Sequence, residues 1–162
     1  MRQKAYALGL MLLCSSALTG PGAAQALQKR VLTLEDARRV IAAAESEAQR
    51  NGSPGVVAVV DDGGWLIALE RMDNAPMLAS VELAPAKARA AAAYRKPTQA
   101  LEEAINHGRI AAITAPGFVQ MQGGVPLVLD GHVVGAIGVS ADTPAHDQQI
   151  AEAGAAALGQ GR

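Results

Sequence analysis

Two apolar runs in this chain each double back across a turn that suits a hairpin. Val56 to Val60 leads through Asp61-Asp62-Gly63-Gly64 into Trp65 to Arg71, and Val125 to Leu129 leads through Asp130-Gly131 into His132 to Ser140. An Asp-Gly pair supplies the positive φ that a tight hairpin turn requires. A strand that returns after so few residues lies antiparallel to its neighbour, because a parallel partner needs a crossover of roughly a dozen residues or more. A doubly wound parallel sheet is therefore excluded. The two hairpins also resemble each other, "VVAVVDDGGWLIAL" beside "VPLVLDGHVVGAIGV".

The segments around them read as helices. Thr33 is an N-cap with acids in the first turn, and Leu34, Ala37, Ile41, Ala44 and Ala48 recur at helical spacing until Asn51-Gly52. Ala79 to Arg95 is alanine-rich, with Pro85 expected to kink it or to sit in its first turn. Gln99 to His107 follows Lys96-Pro97-Thr98 and stops at Gly108, and Thr143-Pro144 opens a last helix, Ala145 to Leu158. Ala115 to Gly124 is a loop in which Phe118 to Met121 could form a short strand. The order α-ββ-α-α-ββ-α predicts an α/β (α+β) fold: one antiparallel sheet built from two hairpins, with helices on its faces. The glycine pairs at 63-64 and 123-124 are not phosphate loops, since neither opens a helix in the required pattern.

The first residues read as a leader. Arg2 and Lys4 precede an apolar run from Ala5 to Leu18, Thr19-Gly20-Pro21-Gly22 breaks it, and Ala24-Gln25-Ala26 offers a cleavage site. This predicts a signal peptide over residues 1–26, a single domain over 27–162, and a periplasmic or secreted location. The run is too short to span a bilayer. Cleavage leaves about 136 residues, enough for one core. It also removes Cys14, the only cysteine, so the mature chain forms no disulfide. The formal charge of −1 becomes more negative once Arg2 and Lys4 are gone, which points away from nucleic acid and from an anionic membrane surface.

No standard catalytic set is present. There is no G-x-S-x-G elbow, no cysteine remains after cleavage, and His107, His132 and His146 have no metal-binding spacing. Each histidine is more simply a surface residue than a ligand. Lys87 stands out within "LAPAKARAAAAY", where its neighbours are nearly all alanine. Two readings stand side by side: a partly buried ammonium that recruits an acid or an anion, or a lysine that snorkels from an exposed face. Its expected internal partner is Asp61, with Asp130 second, although closing a hairpin is role enough for either. Arg71-Met72-Asp73 follows a strand, where a charged pair can simply fix a loop. Lys96, at a helix boundary, is expected to be dispensable.

Taken together, "AVVDDGGWLIALERMDNAP", "APAKARAAAAYRKPT" and "GGVPLVLDGHVVGAIGVSADTPAHDQQIAEAG" resemble the GlcG-like and HbpS-like haem-binding proteins, the haem-degrading domain family. That family includes the C-terminal domain of PduO-type corrinoid adenosyltransferases. The resemblance runs from Leu32 to about Gly154 and implies a profilin-like α/β/α sandwich. The family pattern has glycine where this chain has Ala141, and an acid where it has Gln148. PduO-type relatives use a histidine near their N-terminus, and no histidine precedes His107 here.

With the leader, the resemblance implies an exported haem- or tetrapyrrole-binding protein, with haem ahead of another tetrapyrrole or a corrinoid, and the absence of a catalytic set fits a binder rather than a catalyst. Candidate iron donors are His107, His146 and His132, then Met72, Met77 and Tyr94, with His107 preferred among the histidines. Lys87, Arg71, Arg89 and Arg109 could meet propionates, and Lys87, Asp61, Arg71, Asp130 and Ser140 are the candidate ligand-binding set. A second reading is an enzyme or accessory subunit that binds a small organic acid, linked to glycolate-type metabolism, with Lys87 on the carboxylate. A third is a structural partner of a sensor or redox protein. Alanine- and glycine-rich helix faces allow a homo-oligomer, which the resemblance also implies.

Overall fold

Thr33 caps the first helix reciprocally. Its hydroxyl accepts the Asp36 amide at 3.1 Å, and the Asp36 carboxylate accepts the Thr33 amide at 3.1 Å. The computed structural model describes residues 29–159, so the expected signal peptide, with Cys14, lies outside the described residues. The elements in chain order are α1 (Leu34–Asn51), β1 (Val56–Asp61), β2 (Leu66–Arg71), α2 (Ser80–Tyr94) and α3 (Thr98–Asn106). A 3-10 turn (Ile110–Thr114), β3 (Gly124–Leu129), β4 (His132–Ser140), α4 (Pro144–Ala156) and a second 3-10 turn (Ala157–Gly159) complete the chain. Both hairpins form as expected, and their strands make one antiparallel sheet in the order β2-β1-β4-β3. The second hairpin thus repeats the first by a shift along the sheet.

The two faces of the sheet pack differently. Alternation along β1 sends Val57 and Val59 to one face and Val56, Ala58 and Val60 to the other. On the first face, Val40 and Ile41 of α1 and Ile150 of α4 meet Val57, Val59, Leu127, Ile137 and Val139 in the main core. On the second face the buried apolar contacts of α2 are made by alanine: Ala84 packs with Val56 and Ala58, and Ala88, Ala91 and Ala92 pack with Val60 and Ala136. That helix can lie so close because Gly124 and Gly138 face each other across the β3–β4 pair. A Cβ on Gly138 would stand 2.0 Å from the Ala84 carbonyl oxygen, and one on Gly124 would stand 2.5 Å from that of Lys87.

The structure decides three local expectations. Pro85 lies beyond the first turn of α2, inside the helix, where it gives the Val81 carbonyl no amide partner. Phe118 to Met121 forms no strand, and the 3-10 turn before it was not legible, because one such turn has no periodicity to detect. Leu34 is exposed, since the first helical residue lies beside the cap and not over the core. Among the described residues no helix is long and apolar enough to cross a membrane.

Candidate functional site

Lys87 is a buried lysine, with only 2% of its surface exposed. Its partner is neither Asp61 nor Asp130. The ammonium donates to the Asp147 carboxylate at 2.6 Å and to the Val139 carbonyl at 3.0 Å. Strand register explains the correction: β1 runs antiparallel to β4 with Val56 opposite Ser140 and Asp61 opposite Gly135, so Asp61 lies at the far end of the sheet. There its carboxylate accepts the Gly63 and Trp65 amides, each at 2.9 Å, which is a turn-closing role. Asp130, at the other turn, is exposed and pairs with Arg30 at 3.0 Å.

Asp147 comes from the first turn of α4, which Thr143 caps by accepting the His146 amide. Its second carboxylate oxygen accepts the Ala141 amide at 2.7 Å. Burial pushes the Asp147 carboxyl above its ordinary value, and the pull of Lys87 in the opposite direction does not cancel that rise. Gly123 adopts φ +107° beside this pair and has no room for a side chain, since a Cβ would stand 2.7 Å from the Val139 carbonyl oxygen and 2.8 Å from Asp147 Cβ. The two departures from the family pattern are accommodated here. Ala141 packs where Gly55 leaves space, a Cβ on Gly55 falling 2.7 Å from Ala141 Cβ. Gln148 uses its amide oxygen to accept the Gly123 amide at 3.1 Å, a contact that needs no charge.

Ser140 is fully buried, and its hydroxyl bonds that of Ser80 at 3.1 Å. Lys87, Ser140 and Asp147 line one cavity of about 220 Å³, with Met77, Leu83 and Met121 among its walls. The sequence therefore picked out two members of this cluster, Lys87 and Ser140, but not Asp147. The one signal for Asp147 was its position just inside a Thr-Pro helix start, where an acid is common for reasons of the helix dipole alone.

A larger cleft, about 420 Å³, opens between the end of α2, α3 and the 3-10 turn. Leu101, Ala104, Ala111 and Ala112 form its apolar walls, and Tyr94, Lys96 and Arg109 also line it. Lys96 is thus part of a cleft and not a neutral boundary residue. Tyr94 is steadied by an edge contact with Phe118, the ring centroids 5.2 Å apart. His107 ends α3 three residues beyond Ala104, exposed, with Nδ1 held on the Glu103 carbonyl at 2.7 Å. His132 is exposed beside its turn and lines a different cavity.

His146 meets Asp142 and Ser53 through the same ring nitrogen, Nδ1, at 3.0 and 2.9 Å. That is not a relay, because a base that passes a proton between the two needs one nitrogen on each. The Asp142 carboxyl, despite some burial, is held below its ordinary value by hydrogen bonds from His146, Thr143 and Ser53. The three histidines are spread over separate parts of the fold, and among the described residues no group of three or more potential ligands gathers as for a metal ion. Arg71 and Arg89 are exposed, Arg89 leaning on the Gly64 carbonyl at 3.4 Å, and Met72 packs against the main core.

The sequence and the fold are similar to those of known proteins. A family model described as haem degrading protein HbpS-like matches residues 32–156. Protein GlcG of Escherichia coli (strain K12) is 46% identical over 112 residues, covering 69% of this chain and 83% of that one. The crystal structure of a PduOC–haem complex superposes with a TM-score of 0.71 at 31% identity, covering 80% of this chain and 96% of that one. A double mutant of HbpS from Streptomyces reticuli gives 0.76 at 32% identity, over 90% and 99%. A likeness that runs from the first helix through both hairpins to the last helix, at these identities, shows that this chain belongs to the HbpS-like family of haem degrading proteins.

Proposed function

We propose that this protein binds haem, or a closely similar tetrapyrrole, in the cleft bounded by α2, α3 and the 3-10 turn. The observation that carries the reading is the likeness to a solved haem complex across most of both chains. The cleft supports it chemically. Its apolar walls suit a macrocycle, Lys96 and Arg109 suit two propionates, and the Tyr94 hydroxyl and the neighbouring His107 imidazole are donors of the kind that ligate haem iron. Bound haem supplies an iron centre whose reactivity is set by its axial donor and by the polarity around it. The chain's own part is to keep water off one face of the ring, fix its orientation through the two cations, and offer a donor atom. A volume of about 420 Å³ lies within the range of pockets that enclose an organic ligand.

Titration with hemin should produce a saturable Soret band at one haem per chain. Replacing Lys96 and Arg109 together by glutamine should weaken binding about tenfold, or about 1.4 kcal/mol, the scale of two partly solvated ion pairs. His107→Ala and Tyr94→Phe, made separately, should show by a shifted band which of the two is the donor. A band that grows without saturation, and equally in the Lys96/Arg109 variant, means adsorption and removes the proposal.

Export to the periplasm or beyond belongs to the same reading, supported by the basic start, apolar run and A-x-A signature in the sequence. N-terminal sequencing of protein from the native host should find Leu27 first, and a retained Met1 would overturn the expectation. Self-association is also part of it, supported by exposed Leu78, Ile110 and Ile113.

A further inference from the structure

Both hairpins turn at the same end of the sheet, and a cavity of about 490 Å³ lies there, apart from the cleft proposed for haem. The two turns bring Asp62 and Asp130 to it, which alone would make it anionic. The segment that enters α1 reverses that sign. Lys29 pairs with Asp62 at 2.5 Å and Arg30 pairs with Asp130 at 3.0 Å, so each carboxylate has its own cation. Leu32 fixes this segment by packing into the main core, its Cδ1 so near Gly135 that a Cβ there would stand 2.2 Å away. Lys29 and Arg30 keep further N–H donors after those pairs. Arg95 and His132 also line the cavity, and neither side chain has a partner among the described residues. With Lys29, Arg30 and Arg95 against two carboxylates, the cavity is net positive before His132 takes a proton.

Arg95 is the informative member. It ends α2 in the left-handed region at φ 53°, a place where glycine is the usual residue. A cation there ordinarily bonds the last carbonyls of its helix, but the Arg95 guanidinium makes no such bond. The backbone strain is thus kept for a side chain whose donors are left for the cavity. We propose that this cavity is an anion site for a small phosphomonoester, its phosphate held by the Arg95 guanidinium with His132, Lys29 and Arg30 around it. A tetrahedral phosphate has three terminal oxygens for donors that arrive from the segment before α1, the end of α2 and the start of β4, where a planar carboxylate has two. The cavity is larger than a bare phosphate needs, and only Val133 and Val134 of its lining are apolar, so the esterified group is short and polar.

Calorimetric titration at constant ionic strength with glycerol 3-phosphate, inorganic phosphate, acetate and glycerol tests this. Glycerol 3-phosphate should bind saturably, inorganic phosphate several fold more weakly, acetate about tenfold more weakly or worse, and glycerol not at all. Arg95→Gly should lose about tenfold or more in affinity for glycerol 3-phosphate while its Tm rises by a few degrees, because glycine relieves the left-handed residue. A more stable variant that fails to bind is not a damaged fold. Asp130→Asn, which suits the positive φ of that turn, should bind several fold more tightly, since Arg30 is released. Arg38→Gln removes an exposed cation of α1 outside the cavity and should bind as the unaltered chain does. No saturable binding, equal responses to acetate and the phosphate ester, unchanged affinity in Arg95→Gly, or an equal loss in Arg38→Gln would each overturn the proposal. The hemin titration reads a different cleft, so either result can fail while the other stands.

Discussion

Lys87→Met is expected to destabilise the protein by about 3–5 kcal/mol, because it leaves the Asp147 carboxyl buried without its cation. Urea denaturation measures this directly. Lys87→Met with Asp147→Leu should recover most of the loss, since removing both partners of a buried pair costs far less than removing one. The deficit should also depend on pH. The Asp147 carboxyl is already raised by burial, so the stability linked to it is fully present below the ordinary aspartate range and is lost as pH rises through the folded value. Without Lys87 only the Ala141 amide still opposes that rise, and the deficit should be smaller near about pH 4 than near about pH 8. A deficit that does not change with pH, and is not relieved in the double variant, would show that the methionine disturbs α2 by shape and not by charge.

Gly138→Ala is expected to cost about 3 kcal/mol, the upper end of what an inserted methyl usually costs, or to prevent folding outright. The new methyl would meet backbone on α2, the Ala84 carbonyl oxygen at 2.0 Å and the Ala88 nitrogen at 2.6 Å, and backbone cannot rotate aside. The whole helix would have to lift from β4, carrying Lys87 away from Asp147. Gly131→Ala is the contrast: its φ of +77° makes alanine strained, but nothing lies within 4 Å, so about 1 kcal/mol is expected. Thermal unfolding of the two variants should therefore separate close packing from turn strain, and equal losses would remove the packing explanation.

Both hairpins, their turns and the helices were legible because each is written locally. Asp130 takes φ 48° and Gly131 φ 77°, the positive values foreseen for that turn. Thr33 and Thr143 cap the helices they precede. The site was legible only in part. Lys87 and Ser140 stand out in the sequence and share a cavity, while the expected partners of Lys87, Asp61 at the end of the first strand and Asp130 of the related hairpin, rest on features that carry no register. Lys96 was set aside because a helix boundary looks neutral in sequence, yet α3 and the turn after it close a cleft over it.

What the sequence determined by itself is the set of elements, the antiparallel nature of the sheet and the family, since turn chemistry, caps and periodicity act over a few residues and motif order survives in the chain. Only the tertiary structure decided which acid meets Lys87. The chain has 15 aspartates and glutamates, and the one that matters lies 60 residues away. It arrives there because β4 passes beneath α2 on a floor of glycines and then turns at Ala141 into α4, bringing Asp147 under the ammonium. That meeting depends on strand register and on a helix-to-sheet distance set by absent side chains, and neither is a property of any local stretch.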